Sequence, residues 1–223
     1  MQATDNIVKL RHLLAERFPR LRQGLSAPSL PEMIETGIAS LDALLGGGLP
    51  RGEFTEVIGV RAGSAQVVHA LLRRVAVGGK FVVLVDGADS FDVGAVGPEV
   101  LTRLLWVRCD SAGAALKAAD LLLRDRNFPL VIIDLKLNPV GQLRKIQTTT
   151  WYRFGRLLEQ NRATVLVVTP FPLVSGAACS VRIEGGLGLD SLARPPADLL
   201  ARLKFTLLRS STAEVGERSS RAG

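Results

Sequence analysis

The sequence predicts an α/β fold, in which a mostly parallel, twisted sheet is flanked by helices and has antiparallel edge strands near the C-terminus. From Glu35 onward, short apolar runs alternate with longer helical patterns. This alternation is typical of parallel strands that are buried on both faces by helices. Closer to the C-terminus, charged and apolar residues alternate one by one, which favours antiparallel strands.

Each predicted element has a sequence reason. Continuous apolar runs predict strands over 54–59, 80–86, 104–108, 130–134 and 164–169. Helical periodicity predicts helices over 65–77, 98–104, 112–126 and 142–161. Ser111 stands where its hydroxyl can cap the third of these helices. The alternating segments 179–184 and 202–208 predict antiparallel strands at the sheet edge.

The two ends of the chain differ from this core. Residues 5–23 form an amphipathic pattern with a basic polar face, and the segment after it is rich in Gly, Ser and Pro. The last residues have few apolar side chains that could offset the entropy of ordering them. The predicted organisation is an N-terminal amphipathic helix over 1–24, a linker over 25–34, a core domain over 35–209 and a disordered tail over 210–223.

Composition excludes several classes of protein. No apolar run of the 223 residues approaches the roughly 18 that a membrane span requires, and the first residues lack the pattern of a secretory signal. Cys109 and Cys179 have no metal-ligand spacing and are expected to be reduced core residues. These features predict a cytoplasmic protein that does not bind membranes or metals. The net charge of +7 is compatible with an anionic partner, or with basic residues spread over a solvated surface.

The most specific motif precedes the first apolar strand. Residues 36–53 read TGIASLDALLGGGLPRGE, and the strand 54–59 follows directly. The glycine run can turn sharply before a buried strand, which then leads into a loop. This segment resembles the entry to the RecA-type ATPase core. The resemblance implies a RecA-like fold with a phosphate-binding loop after that strand.

The predicted phosphate loop is degenerate. A working loop reads G-x-x-x-x-G-K-[ST], whose lysine neutralises phosphates and whose hydroxyl binds magnesium. Here Ala65 and Gln66 stand at those two positions, or Ser64 and Ala65 if the loop is shifted by one residue. A backbone cradle could survive without these side chains. The candidates for such residual nucleotide binding are Gly59, Arg61, Gly63, Ser64 and Asp134.

Other ATPase positions depart in the same way. Ala88 stands where the RecA family has its water-activating glutamate, and Asp89 is one residue away. Pro170 replaces the glutamine that senses the terminal phosphate, and Asp134 ends the strand that matches Walker B. The sequence therefore predicts an inactive ATPase relative with no catalytic residues. No cofactor is expected, and ATP with magnesium is the alternative.

A second candidate site is a DNA-binding surface. The family's DNA-contacting loops follow the strands 130–134 and 164–169, and both connections are short here. DNA affinity could instead come from a basic helix in which Trp151 and Tyr152 stack on bases. The alternative is that both aromatic residues belong to the core. The candidate basic residues are Arg144, Lys145, Arg153 and Arg156.

A narrower resemblance rests on the segments LLWVR at 104–108 and AALKAADLLLR at 114–124. They resemble the ImuA-type accessory proteins of the SOS mutagenesis cassette, also labelled SulA-like. The resemblance implies a regulatory role in the DNA damage response and translesion DNA synthesis, exerted through protein–protein contacts. The implied partners are RecA, a Y-family-like polymerase subunit, or both, with self-association as a further option. The predicted contact residues are Ile7, Leu10, Leu14 and Phe18.

Two other functions stay open from the sequence. One is a DNA-stimulated ATPase or recombinase, in which Arg61 or a neighbouring subunit replaces the missing lysine. The other is a SulA-type inhibitor of cell division, which would bind the tubulin-like division protein and need neither nucleotide nor DNA.

Overall fold

The computed structural model describes residues 33–59, 62–184 and 196–210 of the chain. All of them lie in one compact unit that extends from residue 32 to residue 223. The predicted N-terminal helix and the predicted tail after residue 210 lie outside the described residues. In the described part, no helix is both long enough and apolar enough to cross a membrane.

Strands and helices alternate along the described chain. The strands are β1 (Met33–Ile34), β2 (Leu49–Pro50), β3 (Phe54–Ile58), β4 (Val82–Asp86), β5 (Leu104–Arg108), β6 (Leu130–Asp134), β7 (Thr164–Thr169), β8 (Cys179–Glu184) and β9 (Lys204–Ser210). The helices are α1 (Ala39–Leu44), α2 (Ala62–Val77), α3 (Pro98–Leu101), α4 (Ala112–Asp125), α5 (Val140–Leu143), α6 (Thr148–Asn161) and α7 (Pro196–Arg202).

Seven strands form the main sheet in the order β5-β4-β6-β7-β3-β8-β9. All neighbouring strands are parallel except the last pair, β8 and β9, which are antiparallel. The predicted fold class is therefore confirmed. The position of β8 refines it, because this strand pairs in parallel with β3 and leaves only β9 at that edge.

The sheet separates two hydrophobic clusters. Alternate residues of each central strand face opposite sides, so that Leu84 and Ile132 join the cluster under α1 and α2. Their neighbours Val83 and Val131 join the cluster under α4 and α6. Because both faces are covered, the central strands are continuously apolar, which is the pattern that predicted them.

The glycine run before β3 forms the sharp turn that the sequence predicts. Gly46, Gly47 and Gly48 all have positive φ angles, of 74°, 122° and 134°. A Cβ atom added to Gly48 would lie 2.4 Å from the carbonyl oxygen of Ile34 in β1. The turn lets β2 pair with β1, whose two residues lie at the end of the predicted linker.

Two predicted helices have different bounds. The predicted helix 142–161 is two helices, α5 and α6, because Gln147 has an extended backbone with φ −72° and ψ 140°. The predicted helix 98–104 ends at Leu101, since Leu104 already pairs with Val82 in the sheet. The cap at Ser111 is confirmed, because its hydroxyl accepts a hydrogen bond of 3.3 Å from Ala114 N–H.

Candidate functional site at the carboxyl ends of the parallel strands

The candidate nucleotide site lies where four parallel strands end at the same edge of the sheet. Asp86 of β4 is in register with Asp134 of β6, and Ile58 of β3 is in register with Thr169 of β7. Ligands of open α/β sheets bind in the crevice outside such carboxyl ends. The structure therefore brings Gly59 and Asp134 to one edge, as the sequence predicts.

The connection from β3 to α2 is short and closely packed. Only residues 59–61 separate the last residue of β3 from the first residue of α2. A Cβ atom added to Gly63 would lie 3.0 Å from Leu203 Cδ2 and 3.1 Å from Ile183 Cγ2. Ile183 also approaches Gly59, where an added Cβ would lie 3.4 Å from its Cδ1 atom. Both glycines thus accommodate the packing of α2 against β8 and the residue before β9.

The remaining predicted residues of this loop differ in their surroundings. Ser64 is buried in the first turn of α2, with 1% of its surface exposed. Arg61 lies outside the described residues, so its position in the loop stays a prediction.

Asp134 forms a buried ion pair with Lys136. The Lys136 ammonium group donates to Asp134 Oδ2, and the Lys136 backbone N–H donates to Asp134 Oδ1 over 3.2 Å. The exposed fractions of the two side chains are 10% for Lys136 and 6% for Asp134. Burial raises the pKa of Asp134, while the charge of Lys136 opposes this shift. The cation that faces this carboxylate is therefore a side chain of the protein itself.

Asp86 organises the loop after β4. Its carboxylate accepts hydrogen bonds from the backbone N–H groups of Ser90 and Phe91, over 2.7 and 2.8 Å. The indole N–H of Trp106 in β5 also donates to it, over 3.4 Å. Asp86 is 1% exposed, so these donors replace the water that a free carboxylate would bind. Its contacts give Asp86 a structural role in holding this loop.

Asp89, the neighbour of the predicted catalytic position, is bound to Arg108. Two hydrogen bonds of 2.6 and 2.7 Å join its carboxylate to the guanidinium group. These bonds hold the pKa of Asp89 below its usual value. Its φ angle of 50° places it in the left-handed region, and Ala88 precedes it without a functional side chain. A carboxylate that is held in this way is a weak base.

A buried aromatic cluster lies beside this loop. The rings of His69 and Phe91 are 5.6 Å apart, and those of Phe91 and Trp106 are 5.5 Å apart, both edge to face. His69 lies in α2 and is 6% exposed. Its burial lowers its pKa, so the imidazole is neutral at pH 7. The cluster fills the space between α2, the loop after β4 and the edge strand β5.

A buried glutamate holds the connection between β7 and β8. Glu56 of β3 is 1% exposed and accepts hydrogen bonds from the backbone N–H groups of Leu173 and Val174, over 2.7 and 3.1 Å. It also accepts bonds from the hydroxyl groups of Thr169 and Ser180. The segment that begins with Pro170 is therefore attached to the central strand and cannot move independently of it.

The four basic residues of the predicted DNA surface are all exposed. Arg153 donates to Asp120 of α4 over 3.0 Å, which links α6 to α4. Arg144 and Lys145 lie between α5 and α6, and Arg156 lies one turn beyond Tyr152. The aromatic neighbours separate: Trp151 is 1% exposed and belongs to the core, whereas Tyr152 is 63% exposed.

Several predicted features are outside the described residues or find no support in them. The contact residues Ile7, Leu10, Leu14 and Phe18 are among the former. In the described ranges, no group of three or more His, Cys, Asp or Glu side chains could hold a metal ion.

Sequence reasoning missed Lys136, Glu56 and His69. Lys136 follows Asp134 by two residues, so an acidic and a basic side chain separated by two positions at the end of an apolar strand were the available signal. Glu56 is a single acidic residue inside an apolar strand, which is costly to bury unless donors surround it. No feature of the sequence indicates the neighbours of His69, since its partner Phe91 lies in a different part of the chain.

Comparison with known proteins gives RecA proteins over part of the chain. Residues covering 51% of the chain are 32% identical to the chloroplastic DNA repair protein recA homolog 1 of Arabidopsis thaliana, over 26% of that protein's length. The Protein RecA of Crocosphaera subtropica is 32% identical over 51% of the chain and 34% of its own length. The Protein RecA of Saccharopolyspora erythraea is 34% identical over 46% of the chain and 31% of its own length.

The chain spans only about a quarter to a third of the length of these curated relatives. No family model matches it. The partial identity and the sheet topology together support a RecA-like family.

Proposed function

We propose that this chain is a RecA-like accessory protein of the DNA damage response that does not hydrolyse ATP and acts through protein partners. The RecA likeness supports a role related to DNA repair. The resemblance of residues 104–124 to ImuA-type proteins adds the narrower role in SOS mutagenesis and translesion synthesis. The partners would be RecA, a Y-family-like polymerase subunit, or both.

The buried ion pair between Asp134 and Lys136 is the observation that best supports the loss of ATP hydrolysis. In P-loop ATPases the carboxylate at this strand end helps to hold magnesium. Here Lys136 neutralises the carboxylate from within the chain, at a site where both side chains are at most 10% exposed. A magnesium ion would have to displace that ammonium group, so the residues present do not fit magnesium-ATP.

Three further contacts support the same proposal. Leu203 and Ile183 pack against the helix that would cradle the phosphates, near Gly63. Asp89, the carboxylate nearest to the catalytic position, is bound to Arg108. Glu56 attaches the segment after β7, which would need freedom to respond to nucleotide.

A thermal melt with and without millimolar magnesium-ATP tests the loss of nucleotide binding. A ligand at one hundred times its Kd stabilises by about 2.7 kcal/mol, which raises the Tm of a domain of this size by roughly 5–10 °C. We expect no shift, with or without added single-stranded DNA. An active RecA protein in the same buffer serves as the positive control, and EDTA in place of magnesium is the blank. An ATP-dependent shift together with DNA-stimulated phosphate release would refute the proposal.

The partner contact is tested separately through the N-terminal segment. Leu14→Glu places a charge on the predicted apolar face, whereas His12→Glu places the same charge on the predicted polar face. We expect the first change to abolish binding to purified RecA or to the polymerase subunit and the second to preserve it. Equal binding by both variants, or no binding by the unmodified chain to either protein, would argue against this contact.

A further inference from the structure

The exposed surface of α5 and α6 is strongly basic, and the proposed function does not use it. Residues 140–162 include five basic residues and one acidic residue, an excess of four positive charges in a chain of net charge +7. The first turn of α6 contains no acidic residue. The positive end of the helix dipole therefore adds to the charge of the side chains.

Three of these cations are available to an anionic partner. Arg144, Lys145 and Arg156 are exposed and form no ion pair with any residue that the structure describes. Arg153 differs, since its guanidinium group is bound to Asp120. The free cations lie before α6 and in its middle, so they border the same stretch of surface.

Tyr152 gives this surface a chemical character beyond charge. Its side chain is 63% exposed, although its neighbour Trp151 is 1% exposed in the core. Residues 152 and 156 are one turn apart, so that the tyrosine and Arg156 lie on the same outward face of α6. An aromatic ring beside cations is the arrangement by which proteins bind single-stranded nucleic acids, since the ring stacks on a base and the cations meet phosphates.

We infer that this surface, formed by Arg144, Lys145, Tyr152 and Arg156, binds single-stranded nucleic acid. The cations bind the phosphates and Tyr152 stacks on a base. An acidic protein segment would use the same cations but would not require the exposed ring. The inference is independent of the proposed function, because it requires neither ATP nor the N-terminal segment.

Fluorescence anisotropy with a labelled thymidine 30-mer tests the inference on the full chain. For single strands, each phosphate contact contributes about −0.7 to the slope of log K against log salt. Arg156→Ala is therefore expected to weaken binding and to make the slope shallower by about 0.7. Lys80→Ala, which removes an exposed charge between α2 and β4, should leave both quantities unchanged. Equal losses in these two variants would overturn the inference, as would the absence of binding at low salt.

The tyrosine provides a second, local readout. Loss of base stacking in Tyr152→Ala is expected to weaken binding roughly 5- to 150-fold, whereas Tyr152→Phe keeps the ring and should bind normally. Because the chain has one tyrosine, 3-fluorotyrosine places a single ¹⁹F probe at this position. The oligonucleotide should shift that resonance, and polyglutamate of equal charge should not. Normal binding by Tyr152→Ala, or an equal shift with polyglutamate, would overturn the inference.

Discussion

Replacing Lys136 with methionine should strongly destabilise the protein, because the change leaves Asp134 charged, buried and unpaired. Asp134 is 6% exposed, and Asp86 lies beside it in the sheet register. Methionine keeps most of the aliphatic volume of lysine, so little cavity is created. Breaking a buried ion pair by removing one partner costs about 3–5 kcal/mol. For a domain of this size, that cost lowers the Tm by roughly 6–20 °C.

Chemical denaturation at several pH values provides the assay. In the variant, the pKa of Asp134 should rise further, because burial then acts without the opposing charge of Lys136. A carboxyl group with a raised pKa binds its proton more readily in the folded state, so folding stability increases as the pH falls through that pKa. The deficit of the variant should therefore be largest at neutral pH and shrink in acid.

Two further variants complete the experiment. Lys145→Met removes an exposed lysine and should change stability by no more than about 0.5 kcal/mol. The double variant Asp134→Leu with Lys136→Met replaces the pair by apolar side chains and should recover most of the lost stability. If Lys136→Met were as stable as Lys145→Met at every pH, the ion pair would be accessible to water. Asp134 would then be free to bind a metal ion, and the main support for the proposed function would be lost.

Three other predictions concern the backbone and the buried histidine. Gly48→Ala should prevent stable folding or lower the Tm sharply in a melt, because the new Cβ would lie 2.4 Å from the Ile34 carbonyl oxygen. Arg126→Gly should stabilise the protein by up to about 1 kcal/mol in urea titrations, because Arg126 has a φ angle of 62° and glycine adopts that conformation without strain; the same change at Arg124, inside α4, should destabilise by a similar amount. His69→Gln should reduce the loss of stability on acidification from about pH 7.5 to 5: burial lowers the pKa of His69, so the unfolded chain binds the proton first and the native state loses up to about 1.4 kcal/mol per pH unit. Identical pH dependence in the two proteins would contradict this last expectation.

The fold was predictable because its cause is local in the sequence. Strands buried on both faces must be apolar throughout, and helices that cover a sheet must be apolar on one side, so both leave a readable pattern. The glycine run at 46–48 indicated a sharp turn for the same reason, since few other residues adopt positive φ angles. The missing lysine of the phosphate loop was likewise visible in the order of the residues at 59–66.

The state of each remaining candidate residue depended on tertiary contacts. Asp134 was readable as a strand-end carboxylate, but its pairing with Lys136 requires the local turn and the surrounding burial. Trp151 and Tyr152 are adjacent aromatic residues, and only the rotation of α6 against the sheet decides which of them enters the core. The sequence therefore determined which chemical groups are present and in what order. The tertiary structure alone decided which groups are buried together, because burial and pairing depend on contacts between segments far apart in the chain.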